Sequence, residues 1–571
     1  MAEVSKRLTK REFENLDKSV VWSIKQLTTP RQNRVDAIKQ FLGNHYSDYG
    51  SDETMPVNLL KLAHQIYVRS LAARAPRALI GTRNPQLKAT AANLELAVND
   101  IPAEIDLENT LRRWVGEALF SMGILRVGLV AVSEVMGIPY GQPFVEVVTS
   151  DDYFLDMSAK NHAQVQYEGH DYLLTHEELR DLGWVSKQEL KELDDGAETT
   201  IGPNGQERAE GISAGGGGVE SFKRRLLVRD VWLPKERRLV TYAVKAKKLL
   251  NDIEWEGPQH SPYYVLGFSD VPGNLLPLSP VSVWRDLHEL ANALFRKLAC
   301  QADDQKRVLG FQGGNDDSVM NFKRAKDGEG IKYTGSEPKV LAAGGIDPQT
   351  LAYFMQCRDL ASYFGGNLDA LGGLAPQTET LGQDRLLSEA ASAQLRDMQT
   401  VTISQVREVF RALAWYEWHD PVGERLLEKP LPGMPGQSIP VLWNRNSRQG
   451  DFDEYQLDID VFSLLDNSPT LKLQRLGYIM STYIIPLMPE IQRQGGELDV
   501  QSLLKLVAKL TDFDELQDII VFANEPQPPT GQQAAGQPAE TKRTYEHTSR
   551  PAPTSQADEM MSQLLEMGQE A

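Results

Sequence analysis

The feature that most constrains the fold of this sequence is a long stretch without glycine or proline. After Gly382 neither residue interrupts the chain as far as His419. Glycine and proline are the residues least compatible with a helix interior, so the stretch predicts one very long helix over 383–419.

Two shorter helices precede the long one, and each opens with a capping residue followed by proline. Ser279 and Pro280 begin the first helix, and Asp347 and Pro348 begin the second. Gly365-Gly366 ends the second helix. Both helices show apolar residues at three- and four-residue spacing, and we expect these stripes to pack. Their members are Trp284, Leu287, Ala291, Leu294 and Leu298 in the first helix and Phe354, Cys357, Ala361 and Phe364 in the second.

The segments between these helices are short, mixed in character and rich in glycine. Residues 306–345 contain β-like runs at 306–312 and 330–334, and 367–380 is a loop with two glycines at its centre. The sequence therefore alternates long helices with compact connections.

This order of elements resembles the portal proteins, or head-to-tail connectors, of tailed bacteriophages. The resemblance rests on Leu278-Ser279-Pro280 at the entry to a helix, on the glycine-rich turn into 378–382, and on the sequence of elements around them. In that family two stem helices flank a small α/β clip, and a tunnel loop, a long wing helix and a helical crown follow.

The resemblance implies an α+β fold class: a portal-like multidomain subunit, mainly helical, with a β-containing wing and a small α/β clip. The implied divisions are an N-terminal wing at 1–279 with a flexible Gly-rich insertion at about 186–220, stem helix 1 at 280–304, the clip at 305–346, stem helix 2 at 347–365, the tunnel loop at 366–382, the long wing helix and wing strands at 383–469, crown helices at 470–523 and a disordered acidic tail at 524–571.

Periodicity outside the stem region adds further expectations. Residues 8–124 are predicted to be mostly helical, and Thr175 with Glu178 matches a capping box. One helical stripe is Leu107, Leu111, Trp114, Ala118 and Met122, and a less regular one is Leu59, Leu62, Ile66 and Leu71. Strands are predicted at 125–132, 144–148, 225–233, 238–244, 263–268, 439–443 and 455–462, and crown helices at 470–494 and 498–512.

The net charge of −19 argues against a protein that holds duplex DNA tightly. Such proteins neutralise phosphates with clusters of lysine and arginine. Two explanations stay open: the acidity only keeps the protein soluble, or it lines a channel through which DNA passes without sticking.

The loop and the clip contain the residues that the resemblance implies are functional. The tunnel loop would face DNA through Asn367, Leu368, Leu371, Gly372, Gly373, Leu374, Gln377 and Thr378. Alternatively, its leucines tuck against a neighbour. The segment 306–339 has seven basic and five acidic residues, a local charge of +2. It is either an ordinary charged β surface or a docking site for an acidic partner through Lys323, Arg324, Lys326, Lys332 and Lys339.

Catalytic motifs are weak in this sequence, and we expect neither an enzyme nor a bound metal or cofactor. Gly211-Ile-Ser213-Ala-Gly215 matches a nucleophile elbow but lies in a Gly-rich linker. His162, His170 and His176 match no zinc spacing, and no phosphate-binding P-loop motif occurs.

The sequence and the resemblance together predict a phage portal subunit in a homo-oligomeric ring, expected to be a dodecamer, at one capsid vertex of the virion. Double-stranded DNA would pass through its channel in genome packaging and ejection. Its expected partners are the terminase packaging motor, capsid and scaffold proteins and a tail adaptor, with no membrane. Two cysteines, too few for a disulfide framework, favour the host cytoplasm during assembly. The alternatives are another virion structural protein, such as an adaptor or internal scaffold, and a metal-dependent nuclease.

Overall fold

The computed structural model describes residues 8–43, 57–72, 74–130, 142–185, 193, 225–310, 320, 324–325, 339–343, 345–366, 368, 381–430, 438–460, 477 and 480–487. The chain divides into two units, Met1–Pro486 and Leu487–Ala571. Apart from Leu487, every described residue belongs to the first unit. The tail predicted at 524–571, the crown helix at 498–512 and most of the insertion at 186–220 lie outside the described residues.

The described residues form a mixed structure of helices and antiparallel sheets, so the α+β class predicted from the sequence is confirmed. The helices are α1 (Lys10–Gln26), α2 (Thr28–Leu42), α3 (Leu59–Leu71), α4 (Lys88–Glu104), α5 (Leu107–Phe120), α6 (His176–Asp181), α7 (Pro280–Asp303), α8 (Pro348–Phe364) and α9 (Leu381–His419). The strands are β1 (Arg77–Thr82), β2 (Gly123–Val130), β3 (Gln142–Val148), β4 (Tyr153–Leu155), β5 (Glu168–Thr175), β6 (Arg225–Leu233), β7 (Arg238–Ala243), β8 (Lys248–Glu254), β9 (Tyr263–Leu266), β10 (Lys306–Gly310), β11 (Lys339–Ala343), β12 (Arg425–Pro430), β13 (Ser438–Trp443) and β14 (Tyr455–Asp460). A short π-helix covers Met480–Ile484.

Two sheets make up most of the β structure. The larger has the strand order β4-β5-β6-β7-β8, and the smaller has the order β3-β2-β9. Both are antiparallel throughout. Three two-stranded ribbons, β1–β14, β10–β11 and β12–β13, complete the strands of the described residues.

The main hydrophobic core joins the helices to the smaller sheet. The apolar faces of α3, α4, α5 and α9 pack there with β2 and β9, and Trp114 is fully buried at its centre. The predicted stripe on α5 is confirmed, because all of its helical members are buried. The stripe predicted on α3 is confirmed only in part: Leu71 is buried and Leu59 and Ile66 are half-buried, but Leu62 is exposed. The helix also buries Leu60, Ala63 and Tyr67, which were not predicted.

The larger sheet contains buried charges that are satisfied by specific partners. Arg229 binds both carboxylate oxygens of Asp171, at 2.6 and 2.7 Å. Arg126 binds Asp230 at 3.2 Å and so links the two sheets. Burial and the nearby Glu168 carboxylate raise the pKa of Tyr153, whose hydroxyl donates to that carboxylate at 2.6 Å. These pairs offset the cost of removing charge from water.

Most predicted strands are confirmed, but several were missed. β6 matches its prediction from end to end, and the capping box at Thr175 opens α6. The prediction that 8–124 is mostly helical missed β1, which pairs with β14 almost 380 residues further along the chain. Strands β5, β8 and β12 were also missed.

Strand β1 has its free edge covered by side chains of α4. Asn99 accepts from the Ala78 amide at 2.8 Å and donates to the Ala78 carbonyl at 3.0 Å, so it replaces a missing strand. The Glu95 carboxylate accepts from the Ile80 amide at 3.0 Å. Covering an edge in this way protects it from pairing with another chain.

Replacing Asn99 with leucine should loosen β1 without unfolding the protein. The Ala78 amide and carbonyl would lose their partners, which speeds exchange of the amides in 77–82 by about ten- to a hundredfold. Hydrogen-exchange mass spectrometry measures this. The matched control is Asn109→Leu, because within the described part of the chain the Asn109 amide donates to the exposed Asp106 carboxylate and to no strand. Equal exchange in both variants would contradict the role of Asn99.

Candidate functional site

Helices α7 and α8 form an antiparallel hairpin, and this hairpin contains the predicted stem residues. Trp284 near the start of α7 donates from its indole nitrogen to the Phe364 carbonyl at the end of α8, at 3.3 Å. At the other end, Gln301 of α7 accepts from the Asp347 amide at 3.1 Å. The β10–β11 ribbon extends from this second end.

Both helices begin as the sequence predicts. The Ser279 hydroxyl accepts from the Ser282 amide at 3.2 Å, and Pro280 occupies the first helical position. Asp347 accepts from the amides of Gln349 and Thr350. The hydroxyl of Thr350 also donates to this carboxylate at 2.7 Å, and these bonds lower the pKa of Asp347. The N-caps fix where the hairpin begins and where it turns back.

The base of the hairpin, which we define as Tyr67, Trp284 and Gly365, attaches it to the main core. The rings of Tyr67 and Trp284 stack with centroids 5.3 Å apart and planes 21° from parallel. The Tyr67 hydroxyl donates to the Gly365 carbonyl at 2.8 Å. Burial raises the pKa of Tyr67 to about 12, so the hydroxyl keeps its proton and remains a donor.

The chain leaves the hairpin through a position that requires glycine. Gly366 has φ +72°, and a Cβ there would lie 2.8 Å from the Gln394 side-chain oxygen and 3.0 Å from the Tyr67 hydroxyl. Leu368 follows, only 4 % exposed, in the main core. The prediction that Leu368 faces DNA is therefore wrong, because its side chain packs inward beside Gly365.

The predicted apolar stripes are largely confirmed. Trp284, Ala291, Leu298, Phe354, Cys357 and Ala361 are buried, and Leu287 and Leu294 are half-buried. The core between the two helices is formed by Ala291, Leu298 and Phe354. Phe364 is an error of the prediction, since its side chain is 49 % exposed in the subunit. Phe364 is the last residue of α8, and the helix is capped by Gly365.

Two buried polar residues in α7 were missed by the sequence analysis. His288 and Asn292 are fully buried on the same side as Trp284. The Asn292 amide group exchanges two hydrogen bonds with the backbone of Val57, at 3.1 and 3.0 Å. Burial lowers the pKa of His288 to about 4, which keeps the imidazole neutral near pH 7. His288 and Asn292 follow Trp284 at four-residue spacing, which places all three on one side of the helix. The sequence analysis did not predict their burial, because polar residues were not counted as members of an apolar stripe.

Apolar side chains remain exposed on two sides of α8. The first flank is Leu351 and Met355, and the second flank is Tyr353, Leu360 and Phe364. Tyr363 is also exposed and lies between the flanks, near Ala352. At 100° per residue the two flanks lie about 180° apart around the helix, on either side of the face buried against α7. Helix α7 adds Val283 and Leu290, which are also exposed.

The predicted clip residues are only partly described. Lys323, Lys326 and Lys332 lie outside the described residues, Arg324 is exposed, and Lys339 begins β11. The first β-like run is confirmed as β10. Its partner is β11, which the sequence analysis missed. The second predicted run, at 330–334, lies outside the described residues.

The rest of the predicted tunnel loop also lies outside the described residues: Asn367, Leu371, Gly372, Gly373, Leu374, Gln377 and Thr378. The loop is shorter than predicted, because α9 begins at Leu381 and includes Gly382.

The described ranges contain no group of three or more His, Cys, Asp or Glu side chains arranged to hold a metal ion. Among the same residues, no helix is both long enough and apolar enough to cross a membrane. Comparison of the sequence with models of protein families and with curated proteins finds no match.

The neutral state of His288 makes the hairpin sensitive to acid. Its pKa is about 4 in the folded protein and near 6.5 when unfolded, so the unfolded chain binds a proton first as the pH falls. We expect stability to be complete above pH 6.5 and to decline toward pH 4, by about 3 kcal/mol at most.

The measurement is the thermal midpoint at pH 7 and pH 4.5 for the native chain and for His288→Leu. The variant loses less stability on acidification, because leucine does not titrate. Burial also lowers the pKa of His64 and of His170, but both are present in the two proteins and their effect cancels in the comparison. Identical pH dependence of the two proteins would show that His288 does not contribute.

Proposed function

We propose that this chain is a subunit of a portal-like ring through which double-stranded DNA enters and leaves a phage capsid. The observation that carries the proposal is the hairpin of α7 and α8. Helix α8 has only two charged residues, Arg358 and Asp359, and its exposed surface is dominated by the two apolar flanks. A helix that is apolar on several sides needs more neighbours than one subunit provides.

The position of the flanks favours a ring over a simple dimer. A two-fold dimer uses the same patch on both subunits, whereas a ring joins two different patches head to tail. The first and second flanks of α8 are different surfaces on nearly opposite sides. Each subunit would therefore contact one neighbour through each flank.

Simple geometry supports a channel of the right width. The resemblance to portal proteins implies about twelve subunits. Twelve helices spaced about 9 Å apart form a circle about 34 Å across, and subtracting the helix radii leaves roughly 24 Å. That width admits a duplex with little slack, and the net charge of −19 disfavours tight binding of phosphate.

Substitution of one residue in each flank tests the ring. Leu351→Glu and Leu360→Glu should each prevent ring closure, because either places a carboxylate in an interface, at a cost of about 3 kcal/mol or more. Native mass spectrometry and negative-stain images measure the assembly. The matched control is Ala352→Glu, at an exposed position between the flanks and away from α7, which should still give rings.

Mixing the two variants separates a ring from other assemblies. Each variant retains the flank that the other has lost, so the mixture should form a dimer of about twice 63.8 kDa and stop there. A native chain that stays monomeric, or variants that still close into rings, would overturn the proposal. A compact non-ring assembly would favour an adaptor or scaffold role.

Charged substitutions of two leucines test whether the predicted tunnel loop surrounds the DNA. Leu371→Asp with Leu374→Asp should leave the ring assembled, while packaged DNA falls by at least tenfold, since many carboxylates act together in a confined bore where screening is incomplete. Electrophoresis of DNA extracted from particles measures this. The matched control replaces both leucines with asparagine. If the variant no longer forms rings, these leucines pack between subunits. If the variant packages DNA normally, the loop has no role in DNA passage.

A further inference from the structure

A groove lined by aromatic side chains lies away from the hairpin, where the two main sheets meet the end of α9. Its volume is about 530 Å³. We name it the aromatic groove and define it by Phe144 of β3, Trp255 after β8 and Trp415 of α9, with Leu129 and Ile253 at its rim. Leu129 and Ile253 are each 44 % exposed, so the apolar surface continues beyond the cavity.

Two of these rings are held in place by glycines. Gly128 pairs with Phe144 across the strands, and a Cβ at Gly128 would lie 2.7 Å from the Phe144 ring. A Cβ at Gly257 would overlap the indole of Trp255. The Trp255 nitrogen also donates to the Pro258 carbonyl at 2.8 Å. The aromatic walls are therefore formed before any ligand arrives, which lowers the entropic cost of binding.

The charged residues that line the groove are mainly acidic. Glu254 and Glu256 are exposed, and neither forms an ion pair within the described part of the chain. Asp420 adds a third carboxylate. Among the described lining residues the one arginine is Arg126, which is already paired with Glu146 at 3.0 Å and with Asp230 at 3.2 Å. The groove thus presents negative charge beside aromatic faces.

We propose that the aromatic groove binds an extended protein segment in which lysine or arginine is flanked by apolar residues. Tryptophan faces attract such cations, more strongly when the site is partly desolvated. Arg126 already lies over the Phe144 ring at 5.6 Å, and His419 stacks on Trp415 with centroids 4.1 Å apart, so we assign the incoming cation to Trp255. The carboxylates disfavour nucleic acid, and the exposed rim suits a chain with several side chains better than a small molecule. This proposal does not depend on the ring.

A labelled peptide tests the proposal on the full-length protein in its native assembly. The probe is a fluorescein-labelled peptide of alternating leucine and arginine, and its matched control alternates leucine and glutamate. Fluorescence anisotropy should show at least tenfold tighter binding of the arginine peptide. Equal binding of the two peptides would overturn the proposal.

Variants of the groove locate the binding. Trp255→Ala should weaken binding of the arginine peptide at least tenfold, and Gly257→Ala should weaken it severalfold by displacing the indole. The matched control Gly81→Ala, where a Cβ meets nothing within 4 Å, should bind like the native chain. The pair Glu254→Gln and Glu256→Gln lies on the surface and carries little risk to folding, and it should also weaken binding severalfold.

Two results would contradict the assignment. Unchanged affinity in both Trp255→Ala and the glutamine pair would place the peptide elsewhere. Binding to dissociated Leu360→Glu subunits but not to the native assembly would show that a second copy of the chain covers the groove instead.

Discussion

The candidate site depends on one side chain, Tyr67, because it contacts both the start of α7 and the end of α8. Its ring stacks on Trp284 at the start of α7, and its hydroxyl binds the Gly365 carbonyl where α8 stops. The same hydroxyl lies beside Gly366, where the chain turns away. A stacked aromatic pair adds about 0.5–1.5 kcal/mol beyond the area it buries. The larger effect of Tyr67 is on geometry. Because Tyr67 belongs to α3, its two contacts hold the start of α7 and the end of α8 against the same helix.

A second constraint concerns charge in the sheet half of the molecule. Removing an arginine from water is costly, yet Arg126, Arg229 and Arg238 lie at or near the interior of the sheets. Each is paired with a carboxylate, and Arg126 has two. Such pairs contribute little to the net charge of the protein, so most of the −19 is expected at positions in contact with solvent. This distribution is consistent with a surface that repels DNA.

The sequence predicts features that depend on neighbours along the chain and fails for those that depend on distant contacts. The caps at Ser279 and Asp347 are local, and both are confirmed. Strand β1 has little periodicity of its own and becomes a strand by pairing with β14 and bonding to Asn99. The sequence placed Leu368 in a glycine-rich loop, but its side chain is buried in the main core. Burial of Asn292, one turn from His288, involves a distant contact, because its amide bonds to the backbone of Val57, 235 residues earlier in the chain.

The exposed apolar side chains of helix α8 are not explained by contacts within a single subunit. Its two charges pair with each other, Arg358 to Asp359 at 2.9 Å, so the helix has no net side-chain charge. In water its exposed leucines and tyrosines would be unfavourable on both flanks. In the proposed ring the flanks become interfaces, and the remaining side, which includes Ala352, faces the bore. The side chains on this side are uncharged, such as Ala352 and Tyr363, or paired, as Asp359 is with Arg358, so they offer phosphate no strong point of attachment. The same composition that makes α8 unsuited to solvent would then suit it to a channel through which DNA slides.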